Sequence, residues 1–123
     1  MAVTVADLLA YSLRKPGAWE DDPWGGDIVA KVGTKIFAFF GDPNSSTTMG
    51  VKCGRNRDVA DEWVARYPGD VQPSSYIGRF GWNSLTVGGA IPDEELFEAV
   101  DTSYLEIAVK LPKRERPDGY EKA

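Results

Sequence analysis

The sequence predicts an α+β fold. It is a two-layer sandwich with three helices packed on one face of a mostly antiparallel five-stranded sheet, in the order α-β-β-β-α-β-β-α. Three observations lead there. Apolar residues recur at helical spacing in three separate stretches, each closed by proline or a Pro-Gly pair. Runs of β-formers lie between them. Most of these runs are joined by connections of hairpin length, too short for a parallel crossover.

The first helix is expected from Thr4 to about Arg14. Val5, Leu8, Leu9 and Leu13 form its stripe, Thr4 can cap it with Asp7 three residues on, and Pro16-Gly17 ends it. Ala18 to Asp27, "AWEDDPWGGD", reads as a loop with room for one short edge strand. Its acids Glu20, Asp21 and Asp22 read as a solvated acidic loop, because no second ligand cluster accompanies them. Ile28 to Val32 and Lys35 to Phe40 are strands joined by Gly33-Thr34, a hairpin signal. Gly41 to Thr48 is a polar loop, and Met49 to Cys53 is the third strand.

Asn56 to about Tyr67 is the second helix, with Asn56 as cap and an apolar stripe of Val59, Ala60, Trp63, Val64 and Tyr67. Residues 70–75 read as a loop. Tyr76 to Phe80 and Trp82 to Val87 read as extended, closed by Gly88-Gly89. Pro92 opens the third helix, with Asp93, Glu94 and Glu95 at the positive end of its dipole. Leu96, Phe97, Val100, Tyr104, Ile107 and Leu111 give it the strongest periodicity in the chain, and Pro112 ends it.

A single domain, 1–123, follows from 123 residues without repeat or linker, with about 112–123 expected to be a polar, frayed tail. A chain this long buries roughly two-thirds of its unfolded surface and needs no disulfide or metal to stand. The net charge of −5 argues against non-specific adhesion to nucleic acid or anionic membrane by the molecule as a whole. It leaves room for a local basic patch. There is no histidine, which removes His-dependent triads, metal sites and general bases. The one cysteine, Cys53, allows no internal disulfide and suits a reducing cytoplasm. It reads as a small core residue, although a thiol beside a helix start can be activated. The N-terminus lacks the basic and uninterrupted apolar regions of a signal peptide, and no run reaches the length of a spanning helix. No cofactor, metal or catalytic constellation is expected, and a monomer is the favoured state.

Several short pieces stand in a recognisable order. They are "PWG" at Pro23 to Gly25, "KVGTKIFA" at Lys31 to Ala38, "VKC" at Val51 to Cys53 and "YPG" at Tyr67 to Gly69. "WNSL" at Trp82 to Leu85, "SY" at Ser103-Tyr104 and "KLP" at Lys110 to Pro112 follow. Together they resemble the MmcQ/YjbR family over nearly the whole chain. The resemblance implies a secretion-chaperone-like fold and a DNA-binding role. Many members carry histidines around the segment written here "SYIGRFGWNS", where this chain has Tyr76 and Gly81. Any role of those histidines does not carry over.

Strand alternation divides the side chains between two faces. Ile28, Ala30 and Val32, then Ile36, Ala38 and Phe40, then Met49, Val51 and Cys53 are apolar and are expected to face the helices. The opposite set includes Lys31, Lys35 and Lys52 with Phe37 and Phe39, on an open face. Lysines interleaved with aromatics suit a phosphate backbone and stacked bases, or an acidic protein surface. They equally suit a solvated face whose lysine stems lie over the rings. Alternation fails in "RFGWNSLTVGG": either both faces are covered there, or a bulge at Asn83-Ser84 switches the parity. Trp82 and Asn83 are read as strand residues first, and with Arg79 as the rim of the basic face second. The expected function is thus a non-enzymatic binding module for DNA, with a protein-interaction module of adaptor or chaperone type as the alternative.

Overall fold

The computed structural model describes residues 2–122. Helix α1 (Val5–Leu13) begins at a complete capping box: Thr4 accepts from the Asp7 N–H, and Asp7 accepts from the Thr4 N–H. Strands β1 (Ala18–Asp21), β2 (Ile28–Val32), β3 (Lys35–Gly41) and β4 (Thr48–Lys52) follow, and then α2 (Arg57–Arg66) with Asn56 as its cap. Strand β5 (Val71–Pro73), a single 3-10 turn (Gly78–Phe80), β6 (Trp82–Thr86) and α3 (Asp93–Ala108) complete the frame. The sheet has six strands in the order β1-β2-β3-β4-β6-β5, every pair antiparallel.

The two-layer α+β architecture is as the sequence predicts, with one more strand than expected. Ala18–Asp21 forms an edge strand on β2, and Val71–Pro73, expected as loop, forms the other edge on β6. Tyr76 to Phe80, expected as extended, is turn and 3-10 helix instead. Its β-forming side chains lost to the backbone, because Gly81 takes φ 95 there and closes the turn onto Gly78. A Cβ on Gly81 would stand 2.4 Å from the Gly54 carbonyl oxygen, so glycine is required at that position.

The helices cover one face of the sheet. Leu8, Leu96, Val100 and Tyr104 meet Val32, Phe37, Phe40, Met49, Val51 and Leu85 in one buried cluster. The polar tail lies against the body. Leu111 is buried, Arg116 Nε donates to the Leu111 carbonyl at 2.9 Å, and Tyr120 packs against the core. Ala123 lies outside the described residues.

Strand β3 departs from simple alternation. The β2–β3 register slips between Ala30 and Lys31 and again between Ile28 and Val29. Phe37 and Phe40 are the extra residues, each passed over in the pairing, so β3 carries two bulges. Both rings turn to the helix side and are fully buried. Register β4–β6, in contrast, runs unbroken from Thr48 opposite Thr86 to Lys52 opposite Trp82, so no bulge lies at Asn83-Ser84.

Candidate functional site

Cross-strand partners share a face. Lys31 stands opposite Trp19 on β1 and Ile36 on β3. Phe39 stands opposite Gly50, which stands opposite Ser84, and Lys52 stands opposite Trp82. These residues make up the face away from the helices. Phe39 is its centre: its ring stacks on Trp24 at 6.3 Å and meets the edge of Trp82 at 5.4 Å. Trp24 leans in from the β1–β2 loop and is 63% exposed. That loop is shaped by Asp22, whose carboxylate accepts from the Gly26 and Asp27 N–H groups.

The sequence-derived site residues divide. Lys31, Phe39, Lys52 and Trp82 share the open face. Phe37 does not: its bulge sends it to the core, where it meets the edge of Tyr104 at 5.2 Å. Ile36 takes the open-face position assigned to Phe37, for the same reason. Lys35 does not either. Its partner across the hairpin is Val32, a core residue, so Lys35 leaves the sheet on the helix side. Asn83 is wholly buried between β6 and α2, donating to the Ala60 carbonyl at 3.0 Å and accepting from Arg57 at 2.7 Å. Its place is structural. Arg79 sits on the 3-10 turn with its guanidinium 4.8 Å from the Phe80 ring, and Phe80 is 51% exposed.

The two lysines that do share the face are occupied. Lys31 pairs with Asp21 at 2.8 Å and lies over the Trp19 ring at 5.0 Å. Lys52 is 3% exposed, and its ammonium donates to the Phe80 carbonyl. Burial, with Lys110 as a cationic neighbour, holds its pKa below the ordinary lysine value. The face is therefore aromatic with a weak positive charge, rather than strongly basic.

Beside Phe39 the sheet floor opens into a cleft of about 410 Å³. Phe39, Gly50 and Ser84 form its floor, and Ile77 adds an apolar wall. Ser46 and Thr48 stand on one side, Ser74 and Ser75 on the other, and Asp27 at one end. Space exists because Gly50 has no side chain: a Cβ there would press within 3.3 Å of Phe39. Ser46 Oγ is engaged with the backbone of Thr48, and Asp27 Oδ1 accepts from the Gly41 N–H at 3.0 Å. Among the described residues, the hydroxyls of Thr48, Ser74, Ser75 and Ser84 carry no hydrogen bond, so they are available to a ligand.

Sequence reasoning missed this cleft. Its serines come from separate segments and carry no spacing signal. Trp24 lies in a stretch that reads as a loop and Tyr76 in one that reads as extended, so neither is marked as a contact. Tyr76 has the one positive φ of a non-glycine residue among those described, 65°, and its side chain is 96% exposed at the rim. Cys53 is buried as expected, and burial pushes its thiol up to about 11. No helix among the described residues is long and apolar enough to cross a membrane.

Comparison with known proteins adds the following. A family model described as YjbR matches residues 13–106. The uncharacterized protein YjbR of Escherichia coli (strain K12) is 27% identical over 116 residues, covering 93% of this chain and 95% of that protein. The protein of the same name from Escherichia coli O157:H7 matches equally. A crystal structure of the Deinococcus radiodurans protein DR2400, with the family-model domain DUF419, superposes with a TM-score of 0.80 at 25% identity. That superposition covers 92% of this chain and 85% of the other.

Proposed function

Because the chain belongs to the YjbR family, whose relatives above are themselves uncharacterized, we propose from its own geometry that it is a non-enzymatic binding module whose open sheet face engages single-stranded nucleic acid. The observation that carries this reading is the exposed Trp24 ring stacked on Phe39, which the buried Trp82 backs from below, with the exposed Trp19, Phe80 and Tyr76 around them. Unpaired bases stack on such rings without regard to sequence, whereas paired bases hide their faces. Arg79 supplies modest attraction for phosphate at the margin.

A catalytic role is poorly supported. The chain has no histidine, and its only thiol is buried and held protonated, so no His- or Cys-based nucleophile and base can form. A free buried thiol also suits a reducing compartment, which supports a cytoplasmic site.

A second reading has one specific observation in its favour. Lys31 is neutralised by Asp21 and Lys52 is capped by Phe80, so the face is as suited to a protein partner as to a polyanion. Titration with labelled single- and double-stranded DNA at two salt concentrations separates the two. The nucleic-acid reading expects binding of the single strand over the duplex, with a shallow salt slope on the order of one or two released counterions. Absence of binding to either form at both concentrations would leave the protein-partner reading.

A further inference from the structure

We propose that the cleft beside Phe39 is a subsite for one nucleobase carrying an exocyclic amino group, offered by a free nucleoside or by an unpaired nucleotide in a strand. The proposal rests on the single-strand reading above and gives it a specific contact.

Size is the first argument. Small-molecule pockets occupy roughly 300–1,000 Å³, and this cleft of about 410 Å³ lies at the lower end, suited to a single ring system with its sugar. Charge is the second. Asp27 is the only charged residue of the lining, and no cation accompanies it. A phosphate placed there would meet a carboxylate with nothing to offset the repulsion. A neutral heterocycle would not.

Hydrogen bonding narrows the class further. A carboxylate only accepts, and Asp27 Oδ1 already accepts from Gly41, which leaves Oδ2 for an N–H donor: the amino group of guanine, adenine or cytosine serves, whereas the one ring N–H of uridine lies between two carbonyl oxygens that a carboxylate repels. Serine and threonine hydroxyls both donate and accept, so Thr48, Ser74, Ser75 and Ser84 can follow the remaining edge atoms of a base. Phe39 and Ile77 supply the apolar surface against which a flat ring lies.

The rim contributes a further feature. Tyr76 lies between the lining residues Ser75 and Ile77, in a left-handed backbone conformation that an aromatic residue rarely adopts. Its ring stands in solvent, 96% exposed, next in sequence to two lining residues.

The test is calorimetric titration of the full chain with guanosine, adenosine, cytidine and uridine, and with their 5′-monophosphates. The amino-bearing nucleosides are expected to bind saturably, uridine about tenfold more weakly, and the added phosphate to bring no gain. Ser84→Leu puts an apolar side chain into the cleft and is expected to abolish nucleoside binding. Asp27→Asn keeps an acceptor for the Gly41 N–H, removes the charge, and is expected to narrow the preference over uridine. It serves as the decisive variant if Ser84→Leu does not fold. Failure of every nucleoside to bind, or binding indifferent to Asp27→Asn and to a folded Ser84→Leu, overturns the subsite. If single strands still bind and depend on Trp24, the general reading survives that failure. If nucleosides bind and single strands do not, the subsite stands and the strand reading falls.

Discussion

The hydroxyl of Ser103 donates to the carbonyl oxygen of Phe37 at 2.6 Å, across the boundary between helix layer and sheet. Ser103 Oγ in turn accepts from the Lys52 N–H at 2.9 Å. Between β3 and β4 only Ala38–Val51 and Phe39–Gly50 are paired, and the strands part where β3 bulges. Ser103 fills that gap. It supplies from α3 the two hydrogen bonds that the ladder no longer makes. All of this is buried, so Ser103→Ala leaves a carbonyl and an amide without partners. The expected cost is about 1–3 kcal/mol, read from urea unfolding. A wild-type midpoint for Ser103→Ala would show that the strands close without it.

Asn83 is expected to be a stability residue and not a contact. Asn83→Ala removes the partner of the Arg57 guanidinium and of the Ala60 carbonyl. The loss should be about 2–3 kcal/mol, since one bond is to a charged group and the site is closed to water. At a denaturant concentration where the variant is folded, its affinity for any ligand of the open face should equal that of wild type. A folded Asn83→Ala with weakened binding would return Asn83 to the site.

Trp82 lies on the open-face side yet is buried, beneath Phe39 and beside the Lys52 stem. Trp82→Ala should cost about 3–5 kcal/mol, as deletion of a buried large side chain does. Chemical denaturation gives the answer directly. An equally stable variant would mean that the ring is a surface platform.

Cys53 gives a pH signature. Burial raises its thiol from 9.0 to about 11, and Tyr11 rises from 10.0 to about 12 through burial and its bond to Asp101. Below about pH 9 both states keep both protons, and the stabilisation is whole. As pH rises further the unfolded chain loses its protons first, so stability falls from about pH 9 and levels off above about pH 12. Cys53→Ala should flatten the lower part of that fall and Tyr11→Phe the upper part. In the native protein at neutral pH, Cys53 should resist thiol reagents until the chain unfolds. Rapid labelling under native conditions would contradict the burial argument.

The features that sequence revealed are those with local causes. Thr4 and Asp7 form their capping box within four residues, Asn56 caps α2, and Gly33 turns the β2–β3 hairpin at φ 59. The third helix announced itself because a 16-residue amphipathic stripe is hard to mistake. The two-face division of β3 failed because its cause is tertiary. Phe37 turns inward where Tyr104 awaits its edge and Ser103 takes up its carbonyl, both from α3. The same holds for the turn before β6, which Arg57 stitches down by donating to the carbonyls of Gly78 and Trp82. The lysines on the open face were legible, but their partners were not, because Asp21 joins Lys31 only once β1 forms an edge strand. That pairing turns a face expected to be basic into one that is chiefly aromatic.

The central claim is that exposed rings, and not lysines, hold the ligand. Its most direct test is Trp24→Ala, because Trp24 is largely exposed and touches the site through Phe39 alone among the aromatic pairs. Anisotropy of a labelled single-stranded oligonucleotide should show binding weakened by about tenfold or more, in the range of one lost stacking platform. The urea midpoint should stay close to wild type. Unchanged affinity in Trp24→Ala, together with a large loss in Lys31→Ala, would show that charge holds the strand and would contradict the account.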